Sequence, residues 1–356
     1  MSLKSALPAL AAALLFGAST PLAKALVGEV PPLLLAGLLY LGSGLGLGGL
    51  LALRAWRQPG SRAALRIPAA ERPWLAGAIG FGGVLGPALL MAGLARTDAA
   101  SAALLLNLEG VLTALIAWGV FRENADRSVV AGMLAIVAGG VLLSWAPGAG
   151  LSWGALLVVA ACAAWAVDNN LTRQVSTQDA MLVAGLKGLL AGLVNTALAL
   201  AGGAAWPAGP VLLGVLAVGF LGYGLSLTLF VVALRQLGTA RTGAYFSVAP
   251  LFGVLLAWVW WPQPLTATFA LAAALMALGV WLHVRERHAH EHAHEALAHD
   301  HAHRHDAHHQ HAHDFAWDGR EPHRHPHQHA PLVHAHAHFP DIHHRHPHRG
   351  GDNHAT

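Results

Sequence analysis

The first 282 residues contain no histidine, and all twenty-five histidines lie at or after His283. Charge is also scarce. Only 11% of residues are charged, where soluble domains carry about 25%. There is one cysteine, Cys162, so no intrachain disulfide and no cysteine metal site can form. It sits in an apolar run and reads as a small packing residue. No phosphate loop, zinc-protease helix or nucleophile triad is present, which argues against an enzyme. These absences leave a chain that is 55% hydrophobic and mostly Ala, Leu, Gly and Val up to residue 284. One soluble core cannot bury that excess, so the bilayer is the natural solvent.

Ten segments approach the roughly 20 apolar residues that a spanning helix needs. They fall near 6–27, 32–53, 74–95, 98–120, 128–145, 151–172, 180–203, 210–234, 240–261 and 265–284. Prolines 31, 32, 147, 207, 210, 262 and 264 punctuate the links. Lys4 followed by an Ala/Leu run is similar to a signal peptide, but the run continues to Lys24 and reads as a first membrane helix that is kept. Lys and Arg favour cytoplasmic loops. With the N-terminus inside, thirteen of the sixteen basic residues before the tail fall on the inner side, from Lys4 through Arg54, Arg57 and Arg72 to Arg285 and Arg287. Lys24, Arg96 and Lys187 do not. The bias predicts a multi-pass inner-membrane protein with both termini cytoplasmic. Trp145, Trp153, Trp206, Trp260 and Trp261 mark outer ends and Trp56 and Trp74 inner ones, as headgroup belts do. Glycines four apart, such as Gly42, Gly46 and Gly82, Gly86, allow close helix contact.

The two halves resemble each other. Ala117-Trp118 matches Ala257-Trp258, Gly110 falls on Pro250, and Ile79-Gly80-Phe81 answers Val218-Gly219-Phe220. At the front, Phe16 to Lys24 lies over Trp165 to Arg173, which aligns Ser19-Thr20 with Asp168-Asn169 and Lys24 with Arg173. Five spans is an odd number, so a tandem copy inserts upside down, and inverted repeats are a transporter signature. The domain reading is therefore 1–147, 148–284 and a tail, 285–356.

On these residues the chain resembles the drug/metabolite transporter superfamily, EamA type, over about 6–284. The resemblance is carried by Phe16-Gly17 with Lys24, by Ala99 to Leu105, and by Leu112 to Trp118 running into Phe121-Arg122-Glu123. In the second half it is carried by Thr239 to Gly243 and by Ala249-Pro250 leading to Ala257-Trp258. It implies ten helices around a central cavity and secondary transport, with export of amino acids and other small metabolites among the family's activities. Two features depart from the pattern: Gly110 preceded by Glu109 where a proline is frequent, and the tail.

Glu109 lies near the middle of segment four. A carboxylate at the bilayer centre costs roughly 2.5–3.5 kcal/mol on insertion scales, so it must face the interior, carry a proton or meet a cation. Its readings are proton coupling, cation contact or a structural hydrogen bond. Asp168, Asn169 and Asn170 form a polar knot in segment six, and Lys187 stands at comparable depth in segment seven. An Asp168–Lys187 pair would neutralise both charges, as a docking ion pair or as a gate. Lys24 and Arg173 either snorkel to headgroups or act at gates. Tyr223, Asn195, Ser226, Thr228 and Tyr245 either line a cavity or pack.

The tail alternates His-X-His: His288, His290, His292, His294; His299, His301, His303, His305; His323, His325, His327, His329; His334, His336, His338. With five prolines and few apolar residues it cannot build a core, and disorder in isolation is expected. Neutral imidazoles bind Zn, Ni, Co and Cu. The fold expected is thus an all-α membrane protein of ten transmembrane helices, two inverted five-helix repeats plus a disordered cytoplasmic tail, requiring no cofactor. Its partners are the lipid bilayer and a small-molecule substrate, with divalent metal ions at the tail and no nucleic acid. Three functions fit: a metabolite exporter, a divalent metal transporter supplied by its tail, or a membrane-anchored metal buffer or sensor.

Overall fold

The computed structural model describes residues 3–58, 67–121, 127–146, 150–175, 178–237, 246, 248–261 and 265–285, and the tail stretches 289–294, 297–303, 323–329 and 332–337. The first half runs through α1 (Leu3–Val27), α2 (Pro32–Arg57), α3 (Arg72–Ala78), α4 (Gly86–Leu94), α5 (Ala99–Leu105), α6 (Leu108–Phe121) and α7 (Arg127–Ser144). The second runs through α8 (Trp153–Arg173), α9 (Ala180–Ala201), α10 (Gly209–Gly219), α11 (Ser226–Leu237), α12 (Ala249–Trp260) and α13 (Ala267–Arg285). Among the described residues, six helical stretches are long and apolar enough to cross a membrane, and four shorter apolar helices accompany them. Leu45, Val120, Leu134, Leu213 and Val259 turn outward, an exposure that suits lipid rather than water.

The halves are interlocked. α1 packs against α11 and α12, while α8 packs against α4 and α6. Each half therefore sends its first helix into the other, and one hydrophobic core runs through both. The two symmetric pairs α2–α9 and α7–α13 complete the bundle. Apolar burial cannot drive helices together in lipid, so close backbone approach must. At the α2–α9 crossing, a Cβ on Gly188 would meet the backbone of Gly44, and one on Gly44 the backbone of Leu189.

Three interruptions distinguish the helices from the continuous spans expected. Segment three widens into a π-helix at Ile79–Leu85, joining α3 to α4, and segment eight does the same at Phe220–Leu225, joining α10 to α11. These are repeat-related positions. Segment four breaks at Leu106-Asn107, which form a turn between α5 and α6. Its continuous apolar run gives no warning of the break. There the Asn107 side chain donates to the Leu104 carbonyl at 2.9 Å, offering the backbone an alternative to the ladder.

Four short stretches of the tail are extended among the described residues: β3 (Ala289–His294) pairs antiparallel with β6 (Leu332–Ala337), and β4 (Leu297–His303) with β5 (His323–His329). An alternating His-X pattern matches the two-residue period of a strand, so the repeats can pair with one another. β1 (Trp145–Ala146) and β2 (Gly150–Leu151) form one further short ladder.

At the end of the bundle that carries Arg54, the guanidinium meets Asp179 at 2.8 Å. Asp179 is also the N-cap of α9, accepting from the Met181 and Leu182 amides. Burial works against its ionisation, but Arg54 and the two amides prevail, so Asp179 titrates below the ordinary value of 3.8. A depressed carboxylate stabilises the fold above its unfolded pKa and loses that contribution as pH falls through the folded one. Asp179→Ala is expected to cost about 1 kcal/mol through the cap, and the difference from wild type should shrink in thermal melts taken progressively below pH 3.8.

Candidate functional site

The polar residues of segments four, six and seven meet in one network. Glu109 occupies the first turn of α6, immediately after the break. A helix N-terminus favours negative charge, so the break gives this carboxylate a local partner that a continuous helix would lack. Asn169 donates to the Glu109 Oε1 at 2.8 Å and to the Thr113 hydroxyl at 3.2 Å. Asn170 donates to the Ala166 carbonyl at 2.8 Å and to the Thr113 carbonyl at 3.3 Å. Next to them Lys187 Nζ reaches both oxygens of Asp168 at 2.6 Å and the Thr172 hydroxyl at 3.3 Å. Thr172, one turn beyond Asp168 on α8, donates to the same carboxylate at 2.8 Å. Lys187 lies seven residues into α9, roughly 10 Å along its axis at 1.5 Å per residue. Asp168 is buried, Glu109 is half-buried and Asn169 is exposed. The Glu109–Asn169 pair is thus the accessible end of the network and Asp168–Lys187 the closed one.

The π-helix of segment three serves this site. A π turn leaves carbonyls without their usual partners, and in a membrane those groups must be satisfied by protein. Tyr40 Oη and Trp165 Nε1 each donate to the Gly82 carbonyl at 2.9 Å. Asn195 donates to the Val84 and Gly83 carbonyls at 3.1 and 3.4 Å. Gly82 is required sterically, because a Cβ there would overlap the Asp168 carboxylate. Repeat symmetry sets Gly222 against Ser19 in the same way. Where one half carries Asp168 and Trp165, the other carries Ser19 and Phe16. Around Phe16 stands an aromatic group: Tyr223 at 6.2 Å, Phe246 at 5.6 Å and, beyond it, Phe230 at 4.8 Å between centroids. Tyr40 joins the two walls, with its ring 5.6 Å from Tyr223.

The other residues singled out in the sequence separate cleanly. Lys24 lies apart from this network, donating to the Leu94 carbonyl. Arg173 closes α8, and its side chain lies outside the described residues, as do Tyr245, Thr239 to Gly243, Arg122 and Glu123. Ser226 donates to the Ala12 carbonyl and Thr228 to the Gly224 carbonyl, so with Asn195 they serve backbone. Cys162 is fully buried, with its thiol 3.6 Å from the Leu105 carbonyl at the helix break. Gly82 was read as a close-contact glycine, but Tyr40, Thr113, Trp165 and Thr172 were missed as partners of the site. Thr172 alone left a usable signal, four residues after Asp168. Of the fifteen tail histidines named above, His288, His305 and His338 lie outside the described residues. The register sets His290 opposite His336, His292 opposite His334, and His299, His301 and His303 opposite His327, His325 and His323. His294 and His329 face leucines, Leu332 and Leu297.

A helical membrane bundle built from two interlocked copies, with ionisable groups held between them, defines a membrane transporter rather than an enzyme. The profile of the EamA-like transporter family matches residues 3–145 and again 152–285. The chain belongs to that family, within the drug/metabolite transporter superfamily. It is 28% identical over 216 residues to an "Uncharacterized transporter" of Methanothermobacter thermautotrophicus, covering 56% of this chain and 60% of that protein's length. It is 27% identical over 233 residues to the "Uncharacterized inner membrane transporter YedA" of Escherichia coli K12, covering 64% of this chain and 72% of the relative. A solved structure titled "Crystal structure of protein" superposes with a TM-score of 0.58 at 22% identity, over 78% of this chain and 95% of that one. That likeness supports the fold alone.

The ion pair makes a stability prediction. Lys187→Met leaves a buried carboxylate uncompensated and is expected to cost about 3–5 kcal/mol. Asp168→Asn combined with Lys187→Met should recover most of that loss in thermal unfolding in detergent.

Proposed function

We propose that this chain is a proton-coupled secondary transporter of small metabolites such as amino acids, set in a cytoplasmic membrane with both termini inside. Ten crossings, six by long helices and four by shorter ones, fit this reading. The carrying observation is the Glu109–Asn169 pair. A carboxylate at the first turn of a broken helix, accessible and bonded to a neutral amide, can exchange a proton without dismantling the bundle. Asp168 cannot do so as readily, because Lys187 already holds both of its oxygens. Discontinuous helices at mid-membrane are where transporters bind substrate and coupling ions. The charged wall around Glu109 and the aromatic wall around Phe16 suit a solute with one polar end and one apolar body. Counterflow in proteoliposomes against a panel of amino acids and divalent metals tests the cargo. With a substrate so found, uptake by wild type should change with pH, while Glu109→Gln should transport at a rate that is flat with pH. An unaltered pH profile in that variant would refute coupling through Glu109.

A second reading concerns the tail. The His-X-His pattern of the tail favours capture of Zn, Ni, Co or Cu by imidazole. Among the described residues the bundle holds no group of three His, Cys, Asp or Glu side chains fit for a metal. On this reading the tail buffers or senses metal, and the counterflow panel decides whether the bundle also carries it. Deleting residues 288–356 should lower tolerance of cells to nickel, cobalt or zinc while leaving counterflow of the organic substrate intact. Unchanged tolerance would remove any physiological metal role from the tail.

A further inference from the structure

Three basic residues break the positive-inside pattern: Lys24, Arg96 and Lys187. Asp168 neutralises Lys187. The other two come from different helix ends, α1 and the residues after α4, yet both line one pocket of about 390 Å³. It lies at the end of the bundle away from Arg54 and Asp179, and Thr97, Asp98, Ala257 and Trp261 also line it. Among the described residues neither cation forms a salt bridge with a carboxylate. Lys24 Nζ rests on the Leu94 carbonyl and Arg96 Nη1 on the Ala92 carbonyl at 2.9 Å. Asp98 caps α5, accepting from the Ser101 amide at 2.7 Å, and lines the same pocket. Two cations facing one cavity, on the side of a membrane where such residues are otherwise sparse, call for an anionic guest.

We propose that this pocket binds the carboxylate of a small soluble ligand, with Lys24 and Arg96 as its partners and Asp98 beside them for an amino group. Trp261 and Ala257 supply an apolar wall for the rest of the molecule. The site lies apart from the Glu109 network. It deepens the transporter reading by giving the substrate a docking point at one mouth.

The single native cysteine permits a direct test. Cys162 is fully buried, so Thr97→Cys in the full-length protein places one reachable thiol in the pocket. In phosphatidylcholine nanodiscs, the anionic sulfonatoethyl methanethiosulfonate should label it about tenfold faster than the cationic trimethylammonioethyl reagent, as a focused positive field raises local anion concentration. L-leucine should slow labelling and leucinamide, which lacks the carboxylate, should not. Both effects should vanish in Lys24→Gln/Arg96→Gln and persist in Lys24→Arg/Arg96→Lys. The leucine and leucinamide comparison needs no charge-removing variant, so it decides even if the double glutamine protein fails to fold. Equal labelling by the two reagents, or equal protection by leucine and leucinamide, overturns the proposal. So does protection by phosphatidylglycerol alone, which would make the occupant a lipid headgroup. Labelling is read without transport, so its failure leaves the Glu109 experiment standing, and the reverse holds.

Discussion

A carbonyl in hydrocarbon has no water to turn to, and this bundle loosens its own helical ladders in three described places. The whole arrangement around the site follows from repairing them. At the first π turn the repair comes from Tyr40, Trp165 and Asn195, which belong to α2, α8 and α9. Those donors fix how α2, α8 and α9 sit against segment three. Once Gly82 is held by two of them, its missing side chain leaves room for Asp168, and Asp168 in turn receives Lys187. The ion pair is therefore a consequence of backbone satisfaction as much as of charge attraction. A buried pair that had to assemble from free rotamers would gain little after desolvation. Here the helices are already placed by hydrogen bonds that the membrane makes compulsory.

The second theme is broken symmetry. The halves share their plan, with matching π turns and matching close contacts at Gly82 and Gly222, but not their chemistry. One contact holds a carboxylate and the other a serine; one wall is ionic and the other aromatic. In the function proposed above, the shared backbone plan would supply the two related gates that alternating access needs. A selective transporter needs unequal walls, and the side chains at repeat-related positions supply that difference.

Much of this was legible in the sequence because membranes impose coarse rules. Apolar length located most of the helices, the internal matches revealed the two family repeats, and the scarcity of charge made Glu109, Asp168 and Lys187 conspicuous. The partners of those residues were not legible. Tyr40, Trp165 and Thr113 are ordinary residues for a membrane helix, and only a tertiary contact separates a donor to Gly82 from a headgroup anchor. The break at Leu106-Asn107 was hidden for a similar reason. Leucines on both sides continue the apolar pattern, while a short side-chain hydrogen bond from Asn107 competes with the ladder.

The exchange of first helices between the halves also sets an order of assembly. α1 leaves the ribosome before its partners α11 and α12, which lie roughly two hundred residues downstream. At synthesis rates of about 5–20 residues per second, α1 spends on the order of 10–40 seconds in the bilayer before they arrive. Through that interval it must hold without them, which its apolar length permits, and its polar Ser19 waits for the contact with Gly222 that the second half brings. Helices α1 to α7 are thus a set that is not yet a finished domain, and the core closes only when the second copy packs back among them.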